Sequence, residues 1–457
     1  MTISGRNSLY EENFVSHQQR YFSLGLVLLS ICSVLFIVRG YINETHTLHS
    51  RDFKPVYAAS RCLLAGCNPY DIAATKQEYL RAGGTMEDNL AFQPHNSTYP
   101  PGTFFLILPV AWLPWSWADA VWLALIAIAM VMAAFLVADL CQPYAAWPAI
   151  LCIGASLLTC RILLMLGQPA GVAIGFCVIG SWCLLKRRYE VAGVICFAIS
   201  LACKPQIAAL VWVYFFFASR QYRRRSIQIA ILTAAICLPG ILWVSLMRSS
   251  VHWMRDVHAN LTYMVARGNP ADPGPADMDA PLFENLQSAV SVFRDEPHFY
   301  NPIVWAITGS ALLAWFYLVI RMKSSIEKDF LAIASAVCFT MLPVYHRSYD
   351  VYLFLLSFPA LALLFSRRRL AGTVAFVLSL LLIIFTSTTY THFFQVRYTE
   401  KQAHLSIAQT LALGRNVPIT LFALGLLYLV QFFRLRDSLR EQPVTSTHHS
   451  LEVHPSS

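Results

Sequence analysis

Apolar residues fall along this chain in blocks of about 20, separated by short polar stretches rich in arginine and lysine. A block of that length crosses the roughly 30 Å of bilayer hydrocarbon as one helix. The first block, 21–41, is too long for the apolar centre of a signal peptide and lacks a small-residue cleavage site, so it reads as a retained span. Further blocks follow at about 118–138, 145–165, 169–185, 190–203, 205–219, 226–246, 302–321, 329–345, 349–365, 371–389 and 417–433. The pattern predicts an all-α polytopic membrane protein of about twelve crossings.

The polar stretches give this bundle a direction. Basic residues cluster at Lys186-Arg187-Arg188, at Arg220 with Arg223-Arg224-Arg225, at Arg321, Lys323 and Lys328, at Arg367-Arg368-Arg369, and at Arg434, Arg436 and Arg440. All of them fall on the cytoplasmic side if the spans between them are paired. Residues 1–20 are then a cytoplasmic segment, 21–433 a membrane domain, and 434–457 a cytoplasmic, disordered tail. The external loops are 42–117, 248–301 and 390–416. This parity leaves the stretch 101–117 no crossing to make. It holds or adjoins Pro100, Pro101, Pro109 and Pro114 and carries Trp112, Trp115 and Trp117, so it reads as an interfacial or re-entrant helix on the external side.

Composition agrees with the pattern. Of 457 residues 57% are hydrophobic and 13% charged, half the charged share of a soluble domain. The net charge of +9 would suit nucleic acid, but its placement between spans makes it a topology signal. Of the twelve cysteines, only Cys62 and Cys67 share an external loop, and no zinc spacing is present; most of the others lie in or beside apolar blocks, where cysteine acts as a small hydrophobe. No metal or cofactor motif is found.

Four polar groups fall on the external side. Asp52, in Arg51-Asp52-Phe53-Lys54, follows the first span and precedes a short helix over 56–64 that Gly66-Cys67-Asn68-Pro69-Tyr70 stops. Arg51 or Lys54 would keep its carboxylate ionised. Tyr99-Pro100-Pro101-Gly102 opens the interfacial helix and on composition alone is a helix start. Arg161 with Gly167-Gln168-Pro169, and Lys204-Pro205, place cations at the outer face; a charge at the bilayer centre costs about 3 kcal/mol, less where it finds water or a partner. Tyr345-His346-Arg347-Ser348-Tyr349-Asp350 is a polar knot between two spans. A turn capped by its own polar groups explains it less well than a site does. Together the groups supply a base, Asp52, for an acceptor hydroxyl, and a phosphate site from Arg161, Lys204, His346 and Arg347, with Tyr99, Gln168, Tyr349 and Asp350 in support.

In their order and placement, Arg51-Asp52-Phe53, Gly66-Cys67-Asn68-Pro69-Tyr70, Tyr99-Pro100-Pro101, Gly167-Gln168, Lys204-Pro205 and His346 with Tyr349 resemble glycosyltransferase family 87. The resemblance runs from about Tyr21 to Phe385. It implies a GT-C-like bundle with external juxtamembrane helices, and inverting transfer of a hexose, most often mannose, from a polyprenyl-phosphate donor. It makes the acceptor a glycan or glycolipid of the envelope. It also implies a plasma (inner) membrane enzyme working on the periplasmic or exterior face among membrane lipids, with Asp52 as base. The alternative is a transporter or flippase for a lipid-linked sugar. Transporters carry their charges at the bilayer midplane and show repeats, whereas these charges gather at one face and no repeat is visible.

Overall fold

The computed structural model describes residues 4–42, 49–86, 91–93, 98–275, 282–390, 392–393 and 406–440, without the side chains of 4–19, 42 and 437–440. Of the tail expected over 434–457, residues 434–440 continue the last helix, and the rest lies outside the described residues.

The described residues are helical, with no strand among them and a single isolated β-bridge, Phe283 to Arg347. Eight helices among them are long and apolar enough to cross a membrane. In chain order the helices begin with α1 (Ser4–Ile42), α2 (Phe53–Ala65), α3 (Ile72–Arg81), α4 (Pro101–Ala111) and α5 (Trp115–Cys141). Then come α6 (Ala146–Thr159), α7 (Ile162–Met165), α8 (Pro169–Lys186), α9 (Glu190–Cys203), α10 (Pro205–Ala218) and α11 (Arg220–Leu246). The last group is α12 (Trp253–Val265), α13 (Leu286–Val290), α14 (Pro297–Arg321), α15 (Ile326–Thr340), α16 (Phe358–Arg367), α17 (Arg369–Phe385) and α18 (Asn416–Arg440). A 3₁₀ segment, Asp350–Ser357, runs directly into α16.

Every apolar block of the sequence carries a helix, but the ends differ instructively. α1 extends back to Ser4, well before the expected start at 21. The block 145–165 breaks at Cys160 and Arg161. α15 ends at Thr340, so 341–345 is a turn; Pro343 lies there, and the Leu342 carbonyl accepts from the Leu286 N–H at 2.9 Å instead of continuing a helix. The interfacial helix stops at Ala111, and Trp115 and Trp117 open the next helix instead. With 11 residues, α4 measures about 16 Å, too short to span. It packs on α2, α9 and α11, and the Thr103 hydroxyl donates to the Ala202 and Cys203 carbonyls that end α9.

One end of the bundle collects the basic clusters of the short turns between spans. Lys186 pairs with Asp139 at 2.9 Å, Arg225 with Glu190, and Arg367 with Glu327. Lys328 Nζ donates to the carbonyls of Val319 and Met322 at 2.8 and 2.9 Å and of Ala218 at 3.3 Å, tying α10 and α14 to α15. Asp329 accepts from the hydroxyls of Tyr214 and Tyr222 beside it. The other end carries α2 to α4, α12 and the turn 341–350, because α10 and α15 each run from one end to the other.

Candidate active site

A cavity of about 400 Å³ opens at the end opposite those basic clusters, within the range of small-molecule sites. Asp52 lines it, and the chain is built to present this carboxylate. The Ser50 and Asp52 N–H groups donate to the Met165 and Leu166 carbonyls at 2.8 and 3.0 Å, binding the loop to the α7–α8 turn. Gly167 makes that contact possible: its φ is +59°, and a Cβ there would lie 2.9 Å from Phe53 Cβ. Phe53 stacks on Trp122 at 4.6 Å, and the Trp122 indole donates to the Gly167 carbonyl at 2.8 Å. Asp52 occupies the N-cap position of α2, yet its side chain caps nothing. The carboxylate is therefore available to the cavity.

Gln168 reaches it from the start of α8. Its Nε2 donates to Asp52 Oδ2 at 2.6 Å, and its Oε1 accepts from the Tyr99 hydroxyl at 3.0 Å. A carboxylate only accepts, so this orientation of the amide is the one that satisfies both ends. Pro169 sits in the first helical turn, where its missing N–H costs nothing. Arg51 Nε lies 3.5 Å from Asp52 Oδ1, while Lys54 is buried on α2 and does not line the cavity.

Lys204 stands across the cavity at the break between α9 and α10. Its Nζ donates to Asp350 Oδ1 at 2.5 Å and lies 5.1 Å from the Tyr349 ring. Asp350 Oδ2 accepts from His346 Nδ1 at 3.0 Å, so Nδ1 carries the proton. His346 is buried behind this pair and does not line the cavity, and its Nε2 has no partner. Arg347 does line it, held by Nε to the Tyr345 hydroxyl at 2.7 Å and by Nη2 to the Pro270 carbonyl at 3.2 Å. Leu261 and Met264 of α12 form the roof, and Tyr99 and Tyr349 close the sides. Burial, then the Asp52 carboxylate, raises both phenols well above their ordinary pKa, so they stay neutral donors.

Of the expected residues, Asp52, Tyr99, Gln168, Lys204, Arg347, Tyr349 and Asp350 meet around one cavity, and His346 backs it. Arg161 does not join them. The break at Cys160 and Arg161 turns it toward the end of α17, where Nη2 donates to Thr388 Oγ1 at 3.0 Å. Glu284 was not foreseen. The segment 282–286 runs alongside 342–348, joined by Ser348 N–H to Leu282 O and Glu284 N–H to His346 O, which buries the Glu284 side chain beside Asp350 and Lys204. Burial, then repulsion from Asp350, pushes its pKa well above the ordinary value, although Lys204 and the Val351 backbone act the other way. The only sequence signal of Glu284 is a lone acid among apolar neighbours, Leu282-Phe283-Glu284-Asn285-Leu286. Among the described residues, no three His, Cys, Asp or Glu side chains gather to hold a metal ion.

The model of glycosyltransferase family 87 matches residues 98–345, more than half of the chain. The chain belongs to glycosyltransferase family 87. As a member of that family it is a membrane glycosyltransferase, which agrees with a bundle of apolar helices around a cavity lined by Asp52, Lys204 and Arg347. The family match takes in Tyr99, Gln168, Lys204, Glu284 and Tyr345; Asp52 precedes it and His346 to Asp350 follow it. No curated protein and no solved structure matches the chain.

Proposed function

We propose that this family 87 enzyme transfers a hexose, mannose first among candidates, from a polyprenyl-phosphate donor to a glycan or glycolipid of the cell envelope, with inversion. The observation that carries the reading is the contrast between the two carboxylates of the cavity. Both oxygens of Asp350 are engaged, one by Lys204 and the other by His346. Asp52 accepts one short bond from Gln168 and keeps acceptor capacity toward the cavity. Asp52 is therefore the base: it takes the proton of the acceptor hydroxyl as that oxygen attacks the anomeric carbon. The bond from that carbon to the phosphate oxygen breaks on the opposite face, and the polyprenyl phosphate leaves with the electron pair. Lys204 and Arg347 offset the charge that develops on it, with the Tyr99 and Tyr349 hydroxyls as neutral donors. His346 acts through Asp350, and Arg161 lies outside this phosphate site.

Two observations support an external, periplasmic orientation of the cavity in the plasma membrane. Cys62 and Cys67 form a disulfide at the cavity end, and such bonds persist on the oxidising side of a membrane. The clusters of arginine and lysine in the short turns between spans lie at the far end, as the charge asymmetry of membrane proteins requires of the cytoplasmic side.

The test is transfer by the purified protein in nanodiscs. It uses radiolabelled polyprenyl-phosphate sugars, mannose among them, and envelope lipid as acceptor, with wild type beside Asp52→Asn. The expected result is label transfer from the mannosyl donor by wild type, with Asp52→Asn binding donor but turning over about 10²- to 10⁴-fold more slowly. Equal turnover by the variant removes Asp52 from the mechanism. Failure of wild type to bind any polyprenyl-phosphate sugar removes the donor class.

A further inference from the structure

A second cavity lies at the opposite end of the bundle, and no step of the transfer uses it. It is a groove of about 1050 Å³ between the start of α17 and the end of α18. Val374 and Leu378 on one helix and Leu427 and Val430 on the other form its walls, and the small side chains of Ala371 and Ala423 give it depth. Arg368, Arg369 and Arg434 ring its mouth. Arg368 Nη1 donates to Gln431 Oε1 at 2.8 Å, which bridges the two helices and fixes one guanidinium over the opening. No acid among the described residues pairs with any of the three, whereas the adjacent Arg367 is matched by Glu327.

The dimensions select the occupant. From Arg434 back to Ala423 the groove follows eleven residues of helix, about 16 Å. That is close to the depth of one leaflet, half of the roughly 30 Å hydrocarbon core. A soluble phosphate would use the arginines and leave the apolar walls wet; a neutral lipid would fill the walls and leave the arginines unmatched. We propose that the groove is a binding site for an anionic glycerophospholipid, its phosphate held by Arg368, Arg369 and Arg434 and its acyl chains laid between α17 and α18. Basic pockets between helices at a membrane face are the recurring form of such sites, and guanidinium groups match phosphate oxygens in geometry as well as charge.

Native mass spectrometry of the full chain, delipidated and titrated with phosphatidylglycerol or phosphatidylcholine of identical acyl chains, tests the assignment. Glycerol 3-phosphate serves as the soluble arm. Phosphatidylglycerol should bind about tenfold more tightly than phosphatidylcholine, and glycerol 3-phosphate should not displace it. Arg369→Ala with Arg434→Ala should weaken phosphatidylglycerol binding roughly twentyfold. Ala423→Trp, which keeps every arginine but fills the groove, should also weaken it. Arg223→Ala with Arg224→Ala, which removes equal charge from the same end outside the groove, should leave it unchanged. Equal affinity for the two lipids, retained binding in both groove variants, displacement by glycerol 3-phosphate, or a dimer in place of lipid adducts would each overturn the proposal.

Discussion

Gln168 joins Asp52 to Tyr99 through one amide, giving a hydrogen to the carboxylate at 2.6 Å and taking one from the phenol at 3.0 Å. The three residues come from three separate elements, so the amide fixes where the carboxylate of the proposed base points as well as what it touches. Misplacing a catalytic group by about 1 Å costs on the order of a hundredfold in rate. Gln168→Leu should therefore lower kcat by roughly 10- to 100-fold while donor affinity stays within about twofold. Steady-state transfer alongside donor titration separates the two. An equal loss in donor affinity would show that Gln168 serves binding and not aim.

Lys204 and Asp350 share a buried contact, and removing one partner strands the other charge at a cost of about 3–5 kcal/mol. Lys204→Ala should thus lower both the melting temperature and donor binding. Lys204→Met with Asp350→Asn removes both charges together. It should recover most of the melting temperature yet still bind donor poorly, because the cation proposed to face the donor phosphate is gone. Wild-type donor affinity in that double variant would exclude Lys204 from the phosphate site.

Glu284 makes stability depend on pH in a definite direction. Its folded pKa lies well above the 4.5 of the free side chain. Between those two values the folded protein holds a proton that the unfolded chain has released. Stability from this group is therefore full below about 4.5 and is lost as pH rises toward the folded value. Glu284→Gln should flatten that decline, so that the variant melts above wild type at alkaline pH and close to it in acid. A melting series in detergent across that range measures it, and parallel curves would mean that Glu284 is not the group responsible.

Lys328 donates to three backbone carbonyls at the end away from the cavity. Lys328→Ala leaves all three unmatched and should cost about 2–4 kcal/mol, seen as a fall of several degrees in melting temperature. Transfer per folded molecule should not change. A selective loss of kcat without a loss of stability would contradict this structural role.

The helices were legible in the sequence because membrane burial imposes one strong signal, a long apolar block with basic punctuation. Their breaks were less so. The bend at Cys160 that diverts Arg161 toward Thr388 leaves no mark on hydropathy, so spacing from Gly167 alone placed that arginine near the phosphate. Asp52, Gln168, Lys204 and Arg347 were readable as polar residues that apolar surroundings fail to explain. Their meeting was not, since Asp52 and Gln168 are 116 positions apart and are joined by the tight approach at Gly167. Glu284 escaped because its burial depends on pairing between 282–286 and 342–348, and two such short turns carry no periodicity that announces the pairing.

The helices that flank Lys204 have 14 residues each, about 21 Å, well short of the hydrocarbon they stand in. A bilayer answers such hydrophobic mismatch by thinning locally, at a fraction of a kcal/mol per Å. On that side of the protein the leaflet at the cavity end should dip, so that a lipid phosphate drifting past arrives already nearer the depth of the Lys204 ammonium. With the proposed lipid-phosphate donor, the enzyme would then not lift its substrate out of the membrane; the membrane would lower it in.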